Sequence, residues 1–463
     1  SGQVNTAEDL SNFRSKPRQT GFQEMPVADM FKDVTKASIH IPHVLKVEDT
    51  LTRLIQIMKT PRYGPVLMDL PVNIQMSSLE GLHPSTILST KVGQKHIYDI
   101  SEYVQKSKRP LVIFGHGVKL AGAVEEALKF VEENNIPFLV SWGAFDICET
   151  NHPLRIGSPG VYGDRCANYA IQNTDLLISV GSRLDSRQIG GNASLFSKHS
   201  KKIMVDIDDH EITKMGEKNI KIDFRINENA KDFLQNVITG EVTDKTEWLV
   251  RLKQWKQKYG VEKSREGDSV VYDCLTSLFD SLPDECIVIP DQGGNLVWTM
   301  QSAKLKKGQK LFTNFGNSSM GFALPAAIGA AIGSGKIIYC IDGDGGFQMN
   351  IQELLTVKKY NLPIGVIILN NSGYGIIKQF QDSYFDSKYI ATSKDDVFGD
   401  KVDFVKIAEA YGVKNLRDIP IPETQKIYPK LEFGNSLENM TPYIYFEEDM
   451  FVPVPSKKKL GWK

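Results

Sequence analysis

The stretch that decides the fold runs from residue 336 to residue 373 and reads KIIYCIDGDGGFQMNIQELLTVKKYNLPIGVIILNNSG. Two apolar runs, 336–341 and 364–369, have the length and the β-branched content of buried strands, and a helical pattern at 349–360 separates them. This order predicts a βαβ unit, with Gln348 near the start of its helix. Both strands then end at the same edge of a parallel sheet, which is where ligands bind in such sheets.

Polar residues and glycines follow each of these two strands. Asp344 and Asn371 are expected to face each other at the sheet edge, and their oxygen atoms are hard ligands that suit Mg²⁺. Gly345 and Gly346 allow a phosphate to approach the backbone, and the start of the next helix adds a favourable dipole. Either motif alone is a common turn. The pair at this spacing predicts a site for a magnesium diphosphate.

The same alternation of strands and helices extends through most of the 463 residues, which are enough for two or three domains. It predicts an α/β protein built of doubly wound parallel-sheet domains. The predicted segments are a carboxyl-terminal domain remnant at 1–80, a linker at 81–95, a Rossmann-like middle domain at 96–240, a connector at 241–267 and the domain with the diphosphate site at 268–463.

Composition narrows the classes of partner. The formal net charge is -1, which gives no electrostatic reason to expect nucleic acid or an anionic membrane surface as a partner. The five cysteines are scattered and never spaced as CxxC, a pattern that favours reduced thiols and a cytoplasmic location. No run reaches the roughly 18 apolar residues that a membrane span requires.

The amino-acid sequence around the two motifs resembles that of a known family. SMGFALPAAIGA at 319–330 and GDGGFQMNIQEL at 343–354 resemble the thiamine-diphosphate enzymes of the acetolactate synthase, pyruvate oxidase and pyruvate decarboxylase group, most of all the acetolactate synthase large subunit. FQE at 22–24, GPVLMDLP at 64–71 and VDID at 205–208 extend the resemblance along the chain.

The resemblance implies roles for individual residues. The implied metal ligands are Asp344, Asn371 and the carbonyl of Gly373. The implied cofactor-binding residues are Gly343, Asp344, Gly345, Gly346, Asn371, Gly373, Gly293, Tyr374 and Met320, the last as the apolar support that bends the cofactor. The implied substrate residues are Phe22, Gln23, Arg187 and Phe380. Thiamine diphosphate and Mg²⁺ are the implied cofactors, and a small 2-keto acid is the implied substrate.

The middle segment resembles the flavin-binding domain of these enzymes, so FAD is a further implied cofactor. The residues that carry this expectation are Gly115, Gly117, Gly181, Arg183, Asp206 and Asp208. The alternative is a Rossmann-like spacer without flavin. Of the two, we favour FAD.

Three departures from the family pattern shape the functional expectation. The glutamate that activates the cofactor has no counterpart here, so we expect it upstream of Ser1 in a chain truncated by roughly one hundred residues, with no catalytic side chain of its own. Asp185-Ser186-Arg187 replaces an Asp-Asp-Arg, and Phe380 stands where the family has tryptophan. DQGGN at 291–295 differs as well.

We therefore expect decarboxylation of a 2-keto acid, pyruvate first, with transfer of the two-carbon unit to a second carbonyl. Since the acceptor side is altered, transfer to a keto-sugar of surface polysaccharide synthesis stands as an alternative. Pyruvate oxidase or decarboxylase activity, and a non-catalytic cofactor-binding fragment, are others. The family also implies a homodimer or homotetramer with active sites between subunits.

Overall fold

The structure is a computed structural model, and it describes residues 5–6, 15, 17–78, 96–241, 243–259, 270–392, 402–414 and 416–420. The chain divides into two compact units, Ser1–Lys95 and His96–Lys463. The predicted linker at 81–95 lies outside the described residues, as do parts of the predicted connector at 241–267 and most of the chain beyond residue 414. The predicted domain boundaries therefore stay a prediction. Within the described residues, no helix is both long enough and apolar enough to cross a membrane.

The first unit contains a parallel pair of strands with helices around it. Its elements are α1 (Val27–Met30), β1 (Ala37–His40), α2 (Val47–Lys59), β2 (Val66–Asp69) and α3 (Val72–Gln75). β1 pairs with β2 in register from Ala37 opposite Val66 to His40 opposite Asp69. His40 Nδ1 lies 2.8 Å from Asp69 Oδ2, which links the ends of the two strands.

The second unit begins with a six-stranded parallel sheet in the order β6-β5-β4-β7-β8-β9. Its elements are β3 (Tyr98–Asp99), α4 (Ser101–Lys106), β4 (Pro110–Phe114), α5 (His116–Leu120), α6 (Val124–Glu133), β5 (Phe138–Val140), β6 (Arg155–Gly157), α7 (Arg165–Asn173), β7 (Leu176–Val180), α8 (Ser186–Ile189), β8 (Lys201–Asp206), α9 (Asp209–Glu217), β9 (Phe224–Asn227), α10 (Ala230–Asn236) and β10 (Val237–Ile238). Every residue of β4 and β7 is buried, because helices cover both faces of the sheet.

A second parallel sheet follows in the order β12-β11-β13-β14-β15. Its elements are α11 (Thr246–Tyr259), α12 (Val270–Ser281), β11 (Cys286–Pro290), α13 (Gly294–Ser302), β12 (Lys310–Leu311), α14 (Ala323–Ser334), β13 (Ile337–Gly343), α15 (Asp344–Gln348), α16 (Leu354–Lys359), β14 (Ile364–Asn370), α17 (Gly375–Tyr384), α18 (Phe404–Ala410) and β15 (Leu416–Pro420). The predicted α/β class with parallel sheets is confirmed.

Hydrogen bonds join the two sheets of the second unit. Thr150 N donates to Leu305 O at 3.0 Å, and Leu305 N donates to Thr150 Oγ1 at 2.9 Å. Leu311 N donates to the buried carboxylate of Asp146 at 3.3 Å. One apolar cluster also contains side chains from both sheets. The two sheets therefore share a core, and residues from both can contribute to one site.

The helix between β13 and β14 differs from the prediction of one helix at 349–360. α15 begins at Asp344 and has five residues, a short 3-10 turn follows, and α16 has six. The predicted helix-dipole contribution is correspondingly small, because the macrodipole grows with the number of aligned peptides. α13, α17 and β15 had not been predicted. α13 is buried around most of its circumference and therefore lacks an amphipathic pattern.

Candidate active site

The site begins with three neighbouring strands that end together. β13 lies between β11 and β14, with Pro290 opposite Ile341 and Gly343 opposite Leu369. The chain leaves these strands in three loops, 291–293, 342–346 and 371–374. This is the sheet edge at which the sequence predicted a ligand, and the register brings the GDG and NN motifs side by side.

Three oxygen-bearing groups meet at this edge, from Asp344, Asn371 and Gly373. One atom of the Asn371 terminal amide lies 3.2 Å from Asp344 Oδ1 and 2.7 Å from the carbonyl oxygen of Gly373. With nitrogen in that position, the amide donates to both oxygens. With oxygen there, three oxygens converge, and a cation among them is what stabilises such an arrangement.

The donor set fits Mg²⁺ with a diphosphate. It contains one carboxylate, one amide and one main-chain carbonyl, and no group of three His, Cys, Asp or Glu side chains that could hold a metal occurs among the described residues. Mg²⁺ bound by so few protein ligands completes its octahedral shell with phosphate oxygens and water.

The Asp344 carboxylate is 3% exposed and accepts hydrogen bonds from Gly345 N at 2.9 Å and Gly373 N at 3.1 Å. Burial raises the pKa of Asp344 to about 6, and these backbone donors oppose that shift. A buried carboxylate that its own surroundings do not neutralise is a group that a bound cation would stabilise.

Met320 and Gly321 form a turn that a buried carboxylate holds in place. Asp291 accepts from Gly321 N and from Ala323 N, each at 3.0 Å, and the side chain of Asn350 donates to Gly321 O at 2.7 Å. Gly321 has φ +79°, and a β-carbon there would lie 2.6 Å from Cβ of Met349. Met320 is thereby held at the sheet edge, 37% exposed.

Gly345 and Gly346 are required by their surroundings. A β-carbon at Gly345 would lie 2.5 Å from Cε1 of Tyr374 and 3.4 Å from Cε of Met320. One at Gly346 would lie 2.3 Å from Asp291 Oδ2 and 2.4 Å from Asp342 Oδ1. The first glycine leaves room between two side chains of the site, and the second rests on a pair of buried carboxyl groups.

That carboxyl pair is completely buried, since Asp291 and Asp342 are each 0% exposed. Burial raises the pKa of Asp342 well above its usual range, and the adjacent Asp291 raises it further, which favours the protonated form of Asp342. Gly343 N donates to Asp342 Oδ1 at 2.8 Å. The pair therefore connects the end of β11, the end of β13 and the Met320 turn.

A cavity of about 510 Å³ opens above this edge, within the size range of small-molecule sites. Of the residues predicted from the sequence, it is lined by Gly293, Met320, Gly343, Asp344, Gly345, Gly346, Asn371, Gly373, Tyr374, Phe380 and Arg187. Arg187 comes from the other sheet of the second unit, at the start of α8. Its guanidinium has no ion pair within the described part of the chain.

Phe22 and Gln23 lie in the first unit, where Phe22 is 87% exposed and Gln23 has φ +63°. Their predicted contact with substrate stays a prediction, as do the roles assigned to the other residues.

The predicted flavin residues gather at the carboxyl ends of β4, β7 and β8, but their glycines have another use. The N–H groups of Gly115, Gly117 and Gly181 donate to Val180 O, Gly181 O and Val205 O, each at 2.9 Å. A β-carbon at Gly115 would lie 2.1 Å from Gly181 O, so the two loops pack backbone against backbone.

These three N–H groups do not fit a phosphate cradle, because each already has a partner. The acids are similarly engaged: Asp206 Oδ1 accepts from Asp208 N, and Asp208 Oδ1 accepts from His210 N. Arg183 is exposed, 3.9 Å from Asp185. FAD binding stays a prediction that an absorption spectrum can test.

Sequence reasoning missed several residues that line or support the cavity. Asp291 follows an apolar strand, as Asp344 does, so its position at the sheet edge could have been found from the same signal. Trp298 and Asn295 line the cavity from α13, a helix that had not been predicted, and Tyr162 lies in a loop without any motif.

Two family models match the chain. The central domain of the thiamine pyrophosphate enzymes matches residues 97–237, and their C-terminal TPP binding domain matches residues 291–432. The second of these ranges contains the three oxygen donors described above.

Comparisons with individual proteins agree with the family models, and each of those given below covers about 70% of the relative's length. A probable acetolactate synthase large subunit of Methanococcus aeolicus is 32% identical over 434 residues, covering 86% of this chain and 69% of that protein. A probable acetolactate synthase large subunit of Methanocaldococcus jannaschii is 31% identical, with 88% and 71% covered. The acetolactate synthase isozyme 2 large subunit of Escherichia coli is 29% identical, with 85% and 70% covered. The family predicted from the motifs is confirmed: this chain belongs to the thiamine pyrophosphate enzymes and is similar to the large subunits of acetolactate synthase.

Proposed function

We propose that this chain binds thiamine diphosphate through Mg²⁺ at the carboxyl edge of the β11–β13–β14 sheet and serves in the decarboxylation of a 2-keto acid, pyruvate first. The two-carbon unit is then transferred to a second carbonyl compound. The observation that carries the proposal is the cavity itself, which brings oxygen-bearing groups of Asp344, Asn371 and Gly373 together at the sheet edge and is also lined by Arg187 of α8, whose guanidinium has no ion pair among the described residues.

Different residues of the cavity would bind the metal, the cofactor and the substrate. Asp344, Asn371 and the Gly373 carbonyl would hold the metal, and Met320 would support the cofactor from the turn that Asp291 anchors. Thiamine diphosphate supplies an electron sink for the electron pair left behind when a 2-keto acid loses CO₂. Arg187 would pair with the carboxylate of the keto acid, since a guanidinium matches carboxylate geometry.

The walls of the cavity are apolar. Trp298, Leu369, Ile377 and Phe380 line it together with Met320. A poorly hydrated surrounding favours loss of a carboxylate, because the negative charge disperses as CO₂ leaves. No glutamate lines the cavity among the described residues, so none of them is given the role of activating the cofactor.

The first experiment measures cofactor binding directly. Titration of the protein with thiamine diphosphate should show saturable heat by calorimetry with Mg²⁺ and a much weaker signal with EDTA. Asp344→Ala should weaken binding at least about tenfold, because removing a metal ligand costs no less than removing the groups that support one. Asp280→Asn, at an exposed position outside the cavity, is the matched control. Equal binding by Asp344→Ala and the wild type would refute the metal site.

The second experiment follows the carbon. Labelled pyruvate, incubated with the protein, thiamine diphosphate and Mg²⁺, is observed by NMR. Acetolactate as the product supports transfer to a second pyruvate, whereas acetaldehyde or acetate supports a decarboxylase or an oxidase. Cofactor binding without pyruvate consumption would leave a cofactor-binding protein and overturn the catalytic part.

One observation favours a second acceptor, a keto-sugar. Phe380, which replaces the family tryptophan, lines the cavity and stacks on Tyr384 with ring centroids 5.8 Å apart and an interplanar angle of 26°. Because a phenylalanine ring is smaller than an indole, Phe380 leaves more room for a bulky acceptor than a tryptophan would. Pyruvate consumption that requires an added keto-sugar would establish this acceptor, and consumption with pyruvate alone would exclude it.

We further propose that the protein associates into a homo-oligomer and works in the cytoplasm. The first unit exposes large apolar side chains, among them Phe22 at 87% and Met76 at 83%, which supports association with further copies. All five cysteines are free thiols, which supports a reducing compartment such as the cytoplasm. Light scattering tests the first point, and a monomer at micromolar concentration would contradict it.

A further inference from the structure

Two polar side chains line the cavity from the domain that contains the six-stranded sheet. They are Arg187 and Tyr162. Both line the cavity, and neither the guanidinium nor the phenol hydroxyl has a hydrogen-bond partner within the described portion of the chain. Tyr162 was not identified from the sequence, and the proposed function gives it no role. We propose that Tyr162 is a substrate-positioning residue, whose hydroxyl donates a hydrogen bond to the keto oxygen of the acid whose carboxylate pairs with Arg187.

The backbone fixes the spacing of these two side chains. Val161 N donates to the carbonyl oxygen of Arg187 at 2.8 Å, which ties the Tyr162 loop to the start of α8. At the start of α8, the side chain of Asp185 accepts a hydrogen bond from Arg187 N at 2.9 Å and so caps the helix. The positions of both residues are therefore set by the same short network.

The loop that carries Tyr162 is held rigidly from behind. The buried side chain of Asn168 accepts from Gly160 N at 2.9 Å and donates to Gly160 O at 3.0 Å. Gly160 has φ +128°, and a β-carbon there would lie 2.5 Å from Arg187 O. Asp164 closes the loop by accepting from Ser158 N at 2.7 Å. So many constraints on one largely buried turn indicate a preorganised side chain.

The tyrosine ring is also supported. It stacks on Trp142 with centroids 6.4 Å apart and an interplanar angle of 26°, and its main-chain carbonyl accepts from the side chain of Gln301 at 3.2 Å. Burial raises the pKa of Tyr162, so the hydroxyl stays protonated and acts as a donor at neutral pH. A neutral donor beside a cation suits a keto oxygen next to a carboxylate, since the two acceptor groups of a 2-keto acid are adjacent.

This inference rests on the proposed function for its substrate class, and its test is kept independent of turnover. Two unreactive probes are compared by quenching of the tryptophan fluorescence, to which Trp298 and Trp142 contribute. Oxamate has a carboxylate and a carbonyl oxygen, whereas propionate has the carboxylate alone. The wild type should bind oxamate about tenfold more tightly than propionate, as one added hydrogen bond allows.

The Tyr162→Phe variant keeps the stacked ring and removes the hydroxyl. It should reduce the oxamate preference to about one while leaving the propionate affinity unchanged, a pattern that a loosened fold would not give. Arg187→Gln should weaken both probes. Tyr103→Phe is the matched control, because its ring stacks on Phe224 at 5.9 Å and does not line the cavity.

Three outcomes would overturn the inference: an unchanged preference in Tyr162→Phe, an equal loss for both probes, or no wild-type preference. Failure of the proposed function would look different, as absence of Mg²⁺-dependent thiamine diphosphate binding or of pyruvate consumption with the oxamate preference intact.

Discussion

Gly346→Ala tests the claim that the buried carboxyl groups of Asp291 and Asp342 pack against Gly346 at the carboxyl edge of the β11–β13–β14 sheet. The added β-carbon would lie 2.3 Å from Asp291 Oδ2 and 2.4 Å from Asp342 Oδ1, about 1 Å closer than ordinary contacts. Both carboxyl groups are fully buried, and Asp291 is held by Gly321 N and Ala323 N. Neither carboxyl group is the free end of a flexible side chain, so neither can move aside to relieve the clash.

The expected cost follows from three contributions. Overpacking a buried site costs about 1–3 kcal/mol. Loss of one hydrogen bond to the Asp291 carboxylate costs about 1.5–3 kcal/mol. Replacing glycine by alanine within a helix returns about 1 kcal/mol. The net expectation is a loss of about 3 kcal/mol in the free energy of unfolding, together with weaker binding of thiamine diphosphate, because Asp291 also anchors the Met320 turn.

The assay is urea unfolding followed by circular dichroism, with Gly329→Ala as the control. Gly329 lies within α14, is exposed, and has no heavy atom within 4 Å of an added β-carbon. Its alanine variant should be as stable as the wild type or more stable by up to about 1 kcal/mol. If Gly346→Ala unfolds at the same urea concentration as Gly329→Ala, the carboxyl pair does not confine the glycine and the reasoning is wrong.

Three further predictions concern the metal, a loop and a buried lysine. Asn371→Leu should weaken Mg²⁺-dependent binding of thiamine diphosphate at least about tenfold, measured by calorimetry; unchanged affinity would remove Asn371 from the metal site. Gly160→Ala should cost at least about 2 kcal/mol of stability by urea unfolding, because of its φ and the nearby Arg187 carbonyl; equal midpoints would contradict this. Burial lowers the pKa of Lys202 to about 8, while the unfolded chain retains 10.5, so the unfolded state binds more protons between these values. Wild-type stability relative to Lys202→Met should therefore rise by up to about 3 kcal/mol between pH 8 and 10.5, and a flat difference would refute the buried charge, whose ammonium donates to Ser197 O at 2.7 Å.

β13 and β14 were predictable because they lie in the interior of a parallel sheet. Both were predicted within two residues of their observed bounds, since each is a continuous apolar run between polar loops. β15 was missed because its sequence, LRDIP, has neither an apolar run nor alternation. β15 forms because it pairs with β14, and its own sequence pattern does not indicate that contact.

The sequence by itself determined the family and the half of the cavity at which we propose a metal site. GDG and NN follow strands that are adjacent in both the chain and the sheet, so the local order of elements already implies that Asp344 and Asn371 meet. Residues in one βαβ unit need no long-range information to be placed together.

The tertiary structure alone decided what lies across the cavity. Arg187 was singled out from a motif, but its position in the sequence gave no indication of its distance from Asp344 and Asn371. Tyr162 carried no signal at all. They face the site because hydrogen bonds such as those between Thr150 and Leu305 join the two sheets of the second unit. Contacts between distant elements depend on how whole sheets pack, and a pattern read along one chain segment does not contain that information.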